Sequence, residues 1–110
     1  MSIDSRVDEF LKLKGIECSK EQRDQLIALE RQLDDDRRPY GEKALRGEIN
    51  GREFANAINT LAATYAKRTA EILGIDHERL FGAPVGQVAI ADPDIAEAAY
   101  APYQRAKRSP

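Results

Sequence analysis

The apolar positions of this chain recur at helical spacing. Ile3, Val7, Phe10 and Leu11 stand at i, i+4, i+7 and i+8, so one face of a first helix carries all four. Ser2 or Asp4 can accept from the first-turn N–H groups, and Lys12 and Lys14 suit the negative end. Gly15 predicts a left-handed stop, with Ile16 placed to fold back on the last turn.

Ser19-Lys20-Glu21-Gln22 has the form of a capping box and opens a second helix. Gln22, Leu26, Leu29 and Leu33 set its inward face, and the same register predicts inward positions near Asp36, Tyr40 and Ala44, with Leu45 beside them. Pro39 interrupts, since it lacks an N–H and crowds the carbonyl four residues back. Two options follow: one kinked helix over 20–46, or two helices breaking near Arg38. The unbroken register favours the first.

Gly47-Glu48-Ile49-Asn50-Gly51 is the strongest turn signal, and Asn50 with Glu53 predicts a second capping box. Phe54, Ile58, Leu61, Tyr65 and Ile72 then hold a heptad-like spacing through an uninterrupted helix from Arg52 to Leu73. Ala55, Ala62, Ala66 and Ala70 add a stripe of small residues that lets another helix approach closely. Gly74-Ile75 closes this helix as Gly15-Ile16 closed the first. Beyond it, Asp76 can cap a short turn ending at Gly82, and Gln87 to Ala91 reads as extended. Asp92-Pro93 is a helix start whose face would be Ile95, Ala98, Ala99 and Tyr100 before Pro102 stops it. Gln104 to Pro110 reads as a frayed basic tail.

These elements predict an all-α fold. Residues 1–91 would form a small up-down-up bundle of three main helices, with a loop-rich C-terminal arm carrying one or two short helices, and residues 92–110 would be the short C-terminal helix and basic tail. A length of 110 residues suits this single small domain. With 4 Tyr, 3 Phe and no Trp, the core must be mostly Leu, Ile and Ala. Such a chain closes its core only marginally, which together with the long stripe on the third helix points to a dimer.

Charge and targeting signals narrow the partners. Seventeen basic residues against nineteen acidic ones give a net charge of -2, which argues against nucleic acid as partner. No apolar run reaches the roughly 18 residues of a membrane span, so no membrane is expected. The N-terminal stretch lacks the form of a secretory signal, and the expected compartment is cytoplasmic.

A single Cys cannot form an internal disulfide, and a single His cannot build a multi-His cluster. Yet the two fall at matching places: Gly15-Ile16-Glu17-Cys18 and Gly74-Ile75-Asp76-His77 share a helix stop, an Ile and an acid. In an up-down-up bundle the two junctions share a pole. Glu17, Cys18, Asp76 and His77 would there offer sulfur, nitrogen and oxygen to a divalent metal such as zinc. The simpler reading is a pair of ordinary caps with a buried Cys and an exposed His. No third group or Gly-rich oxyanion site accompanies the Cys–His pair, so no catalytic residue is assigned and an enzyme is not expected.

Arg37-Arg38-Pro39-Tyr40-Gly41 could hold a phosphate or an RNA loop, but Asp34, Asp35 and Asp36 precede it and predict a self-neutralised surface. Tyr100-Ala101-Pro102-Tyr103 either docks on a partner or packs across its own bundle. Ser19-Lys20-Glu21-Gln22-Arg23, followed by two long helices, resembles over roughly residues 16–73 the helical-hairpin periplasmic chaperones and metal sensors that carry a Leu-Thr-x-x-Gln motif. Cys18-Ser19 stands here in place of Leu-Thr, a signal is lacking and Met and His are few. The likeness reduces to a capping box and assigns no family.

The leading expectation is a non-enzymatic protein–protein interaction module or accessory subunit that self-associates or binds a protein. Phe54, Ile58, Leu61 and Tyr65 would supply core or interface, and Tyr100 and Tyr103 the partner contact. The alternative is a metal- or small-ligand-responsive domain using the Cys18/His77 pole.

Overall fold

The computed structural model describes residues 2–108, with side chains as far as Gln104. Among the described residues the fold is all-α, without strands: α1 (Ile3–Lys14), α2 (Lys20–Leu45), α3 (Gly51–Leu73), α4 (His77–Phe81) and α5 (Pro93–Arg108). Both capping boxes form. Ser19 Oγ accepts from Gln22 N at 3.1 Å while Gln22 Oε1 accepts from Ser19 N at 2.9 Å, and Asn50 and Glu53 do the same at 2.8 and 3.2 Å. Gly15 and Gly74 both adopt φ 66°, and Ile16 N and Ile75 N donate back to the carbonyls of Leu11 and Ala70. Each Ile lands on the apolar cluster, as the sequence predicts.

α2 is one continuous helix through Pro39. Asp35, whose carbonyl loses its partner to the proline, lies on the solvent side with Pro39. Inward groups bracket the interruption: Asp36 accepts a hydrogen bond from Tyr65 of α3, and Ala44 is fully buried. Leu45 falls outside the register and is 52% exposed.

Contacts fix the helix directions. Gln22 Nε2 donates to the Ile72 carbonyl at 3.1 Å and Tyr65 to Asp36, so α2 and α3 run antiparallel. Arg23 grips Asp8 through two hydrogen bonds at 2.7 and 3.0 Å, and Arg6 reaches Asp34 at 2.7 Å, which sets α1 antiparallel to α2. α1 and α4 cover one end of the α2–α3 pair, where Val7, Leu11, Leu26, Ala70, Leu73 and Leu80 form the main core. α5 covers the other end, and the molecule is elongated, 56 × 27 × 18 Å.

The C-terminal segment differs from the expectation. Pro102 does not stop its helix; α5 runs on to Arg108. Ala98 and Pro102 both lie on the solvent side, so the carbonyl that the proline leaves unpaired belongs to an exposed residue. Tyr100 and Gln104 anchor the helix on either side of that position. The Tyr100 ring packs 5.0 Å from Phe54, and Gln104 Nε2 donates to the Ile49 carbonyl. The expected frayed tail is therefore helical as far as Arg108, and residues 109 and 110 lie outside the described residues.

The inward face of α5 also differs. It is Pro93, Ala96, Tyr100 and Gln104, while Ile95, Ala98 and Ala99 point to solvent. Gly51 explains the phase. A Cβ there would collide with the backbone of Ala96 and with Glu97 Cα, so α5 lies with its main chain directly on this glycine. Only a small residue of α5 can face such a contact.

Candidate functional site

The two matching junctions do meet at one pole. Gly15, Ile16 and Glu17 line a shallow groove there together with Ile75, Arg79 and Leu80. Of the four expected metal ligands, Asp76 and His77 are engaged elsewhere. Asp76 caps α4, accepting from Arg79 N at 3.0 Å, and Glu17 is exposed. Cys18 is half-buried against the apolar cluster. His77 is only 7% exposed, the reverse of the exposed His of the simpler reading. Its Nδ1 lies 2.7 Å from the Ala83 carbonyl, which can only accept, so Nδ1 carries the proton. The ring packs on Phe81 at 5.2 Å. Among the described residues no three His, Cys, Asp or Glu side chains come together as a ligand group.

A cavity of about 320 Å³ lies nearer the middle of the molecule. Val7 and Phe10 of α1, Leu26 and Leu33 of α2, Ala62 and Ala66 of α3, Phe81, Val88 and Ile90 give it a mostly apolar lining. Its polar lining is Arg6, Glu30, Arg37, Tyr65 and Thr69. Asp34 holds both guanidiniums, Arg6 at 2.7 Å and Arg37 at 2.9 Å. Arg38 pairs with Asp35 at 3.5 Å, so the basic pair beside Pro39 is neutralised by the preceding acids. Thr69 Oγ1 donates to the Tyr65 carbonyl at 2.8 Å. Arg6 Nε is buried and makes no hydrogen bond among the described residues.

Tyr65 is 6% exposed. Burial, reinforced by its hydrogen bond to Asp36, pushes its hydroxyl up to about 12. The same hydrogen bond, with a second from Gln32 Nε2 at 2.8 Å, holds the Asp36 carboxyl below its ordinary range. This explains an acid at a register position that the sequence marks as inward.

The residues expected to contact a partner divide between interior and surface. Ile58 and Tyr65 are buried, while Phe54 and Leu61 are half-buried. Tyr100 packs across its own bundle on Phe54, and Tyr103, 6.0 Å from Tyr100, is 43% exposed. The outward face of α5 carries Ile95, Ala98, Ala99 and Pro102 at i, i+3, i+4 and i+7, with Ile95 69% exposed.

Asn59 has a role that apolar periodicity does not reveal. Its Oδ1 accepts from Ile90 N and Ala91 N, and its Nδ2 donates to the Ala91 carbonyl, all at 2.9 Å. One side chain thus pins the extended segment that supplies Val88 and Ile90 to the cavity. The sequence signal for it is an amide beside Ile58, on the flank of the buried face. No family model matches the chain, and neither a curated protein nor a solved structure matches it.

Proposed function

We propose that this chain is a non-enzymatic helical interaction module that self-associates through the outward face of α5. The carrying observation is the solvent-facing stripe Ile95, Ala98, Ala99 and Pro102 on a helix whose opposite face is already packed against α3. The occupant suited to it is a second copy running antiparallel. Asp92, Asp94 and Glu97 lie at the start of α5, and Arg105, Lys107 and Arg108 at its end. An antiparallel pair sets each acidic end beside a basic one, and the small residues let the two helices approach closely. A parallel pair would set like charges together.

Light scattering at micromolar concentrations tests this reading on the full chain. The expected result is a dimer that weakens as salt is raised and becomes a monomer in Ala99→Glu, with helix content unchanged. A wild-type monomer, or a dimer indifferent to Ala99→Glu, overturns it. Substitution is preferable to deletion of α5, since its inner face completes one end of the core.

A further inference from the structure

We propose that Asn50-Gly51 is a self-modifying site: when α5 lifts from Gly51, the Gly51 nitrogen attacks the Asn50 side chain and leaves a covalent record of the opening. The sequence supplies the reactivity. An asparagine amide cyclises onto the nitrogen of the next residue, and a glycine there has no Cβ to crowd the attack. Of the chain's three asparagines only Asn50 precedes a glycine; Asn56 precedes Ala57 and Asn59 precedes Thr60. Gly51 N also belongs to the first turn of α3, where no carbonyl of the helix reaches it. In the reaction a bond forms between Gly51 N and Asn50 Cγ, the Cγ–Nδ2 bond breaks, and ammonia leaves with the proton of Gly51 N. Water then opens the cyclic imide. Addition at Cγ leaves Asp at position 50. Addition at the main-chain carbonyl leaves isoaspartate, whose backbone runs through the side chain and is one methylene longer.

The fold supplies the brake. Asn50 sits at ψ 172°, its Oδ1 accepting from Glu53 N at 2.8 Å and its carbonyl from Phe54 N at 3.0 Å. Bringing Cγ onto Gly51 N breaks this cap and swings the Asn50–Gly51 peptide. That peptide has no room to swing, because Gly51 is buried directly beneath the Ala96 backbone. α5 clamps the same turn on both sides: Gln104 holds the Ile49 carbonyl, and Asp94 and Glu97 hold Arg52. The glycine that makes Asn50 reactive is thus the one that α5 requires, and a larger residue would remove the reactivity and the close contact together. The two products then act differently. Asp at position 50 keeps an acceptor for Glu53 N and lets α5 redock, whereas isoaspartate displaces Gly51 and holds α5 off. The site lies under the inner face of α5, so the inference does not rest on self-association through the outer one.

Peptide mapping by mass spectrometry tests this on the full chain incubated at mildly alkaline pH, with Asn56 and Asn59 as internal controls. Because only the open population reacts, Asn50 should be lost about tenfold or more slowly in native buffer than in urea. Tyr100→Ala removes the ring that packs on Phe54 and should speed the loss in native buffer about tenfold. The controls should keep their amides over the same period. The isoaspartyl form, separated by chromatography, should lose hydrogen-exchange protection in α5, while Asn50→Asp keeps it. The proposal fails if Asn50 survives in urea, if native buffer and urea give one rate, or if Tyr100→Ala leaves the rate unchanged. It fails equally if Asn56 or Asn59 reacts as fast, or if α5 stays protected in the isoaspartyl form. Should Tyr100→Ala not fold, urea below the unfolding transition of the wild type takes its place: a rising rate is expected, and a flat one overturns the proposal.

Discussion

The two ends of the α2–α3 pair are held by opposite means. At the α1/α4 end, branched and aromatic side chains fill space between helices: Leu11, Leu26, Leu73 and Leu80 interlock, and Phe10 stacks on Phe81 at 6.2 Å. At the α5 end, Gly51 leaves almost nothing between its backbone and that of Ala96, and Phe54 packs on Tyr100 of the same helix. Polar groups add to that contact. Arg52 pairs with Asp94 at 2.8 Å and with Glu97, while Gln104 reaches the Ile49 carbonyl. One end is sensitive to losing atoms and the other to gaining them.

Substitutions of opposite sign probe this contrast. The largest effect is expected at Leu26→Ala, which opens a void in the main core and should cost about 3 kcal/mol in urea unfolding. Next comes Gly51→Ala, which adds a single methyl. It should cost about 2 kcal/mol, felt as loss of hydrogen-exchange protection in α5 while the amides of Leu11 and Leu73 stay protected. Uniform loss of protection would show instead that the two ends unfold as one unit.

The smallest effect lies between the ends, at the Tyr65–Asp36 hydrogen bond, where Tyr65→Phe should cost about 1 kcal/mol near neutrality. Its pH signature is sharper than its size. Tyr65 titrates higher in the folded chain than the about 10 of an unfolded tyrosine, so its stabilisation is full below that value. It is lost as pH rises toward about 12. Asp36 is shifted downward, so its contribution is present above the ordinary carboxylate range and lost as pH falls through it. Urea midpoints measured across pH should fall on both sides in the wild type and flatten on both sides in Tyr65→Phe.

Helix existence, caps and the inward register of α2 were legible in the sequence because each depends on neighbours a few residues apart. Asp36 is the instructive case. The register marks it as inward, but the reason, a tyrosine hydroxyl 29 residues away, is a tertiary fact. The face of α5 was misread because Ile95, Ala98 and Ala99 make the more hydrophobic stripe. Contact with Gly51 selects instead the face that lets two backbones touch. Pro102 was read as a stop because local rules ignore the anchors that Phe54 and Ile49 provide on either side of it. At the pole, spacing brought the Gly-Ile junctions together correctly. The directions of Cys18 and His77 were set by apolar packing and by the Ala83 carbonyl, neither of which has a signature in sequence.

The connection between α4 and α5 is tied at both ends by side chains outside it. His77 holds the Ala83 carbonyl, and Asn59 holds Ile90 and Ala91. The exposed turn at Val85-Gly86 carries neither anchor. Its length is therefore uncoupled from the position of α5, which makes it a natural graft point. A foreign peptide inserted there would be displayed as a loop of fixed span, its ends set by the scaffold rather than by its own sequence.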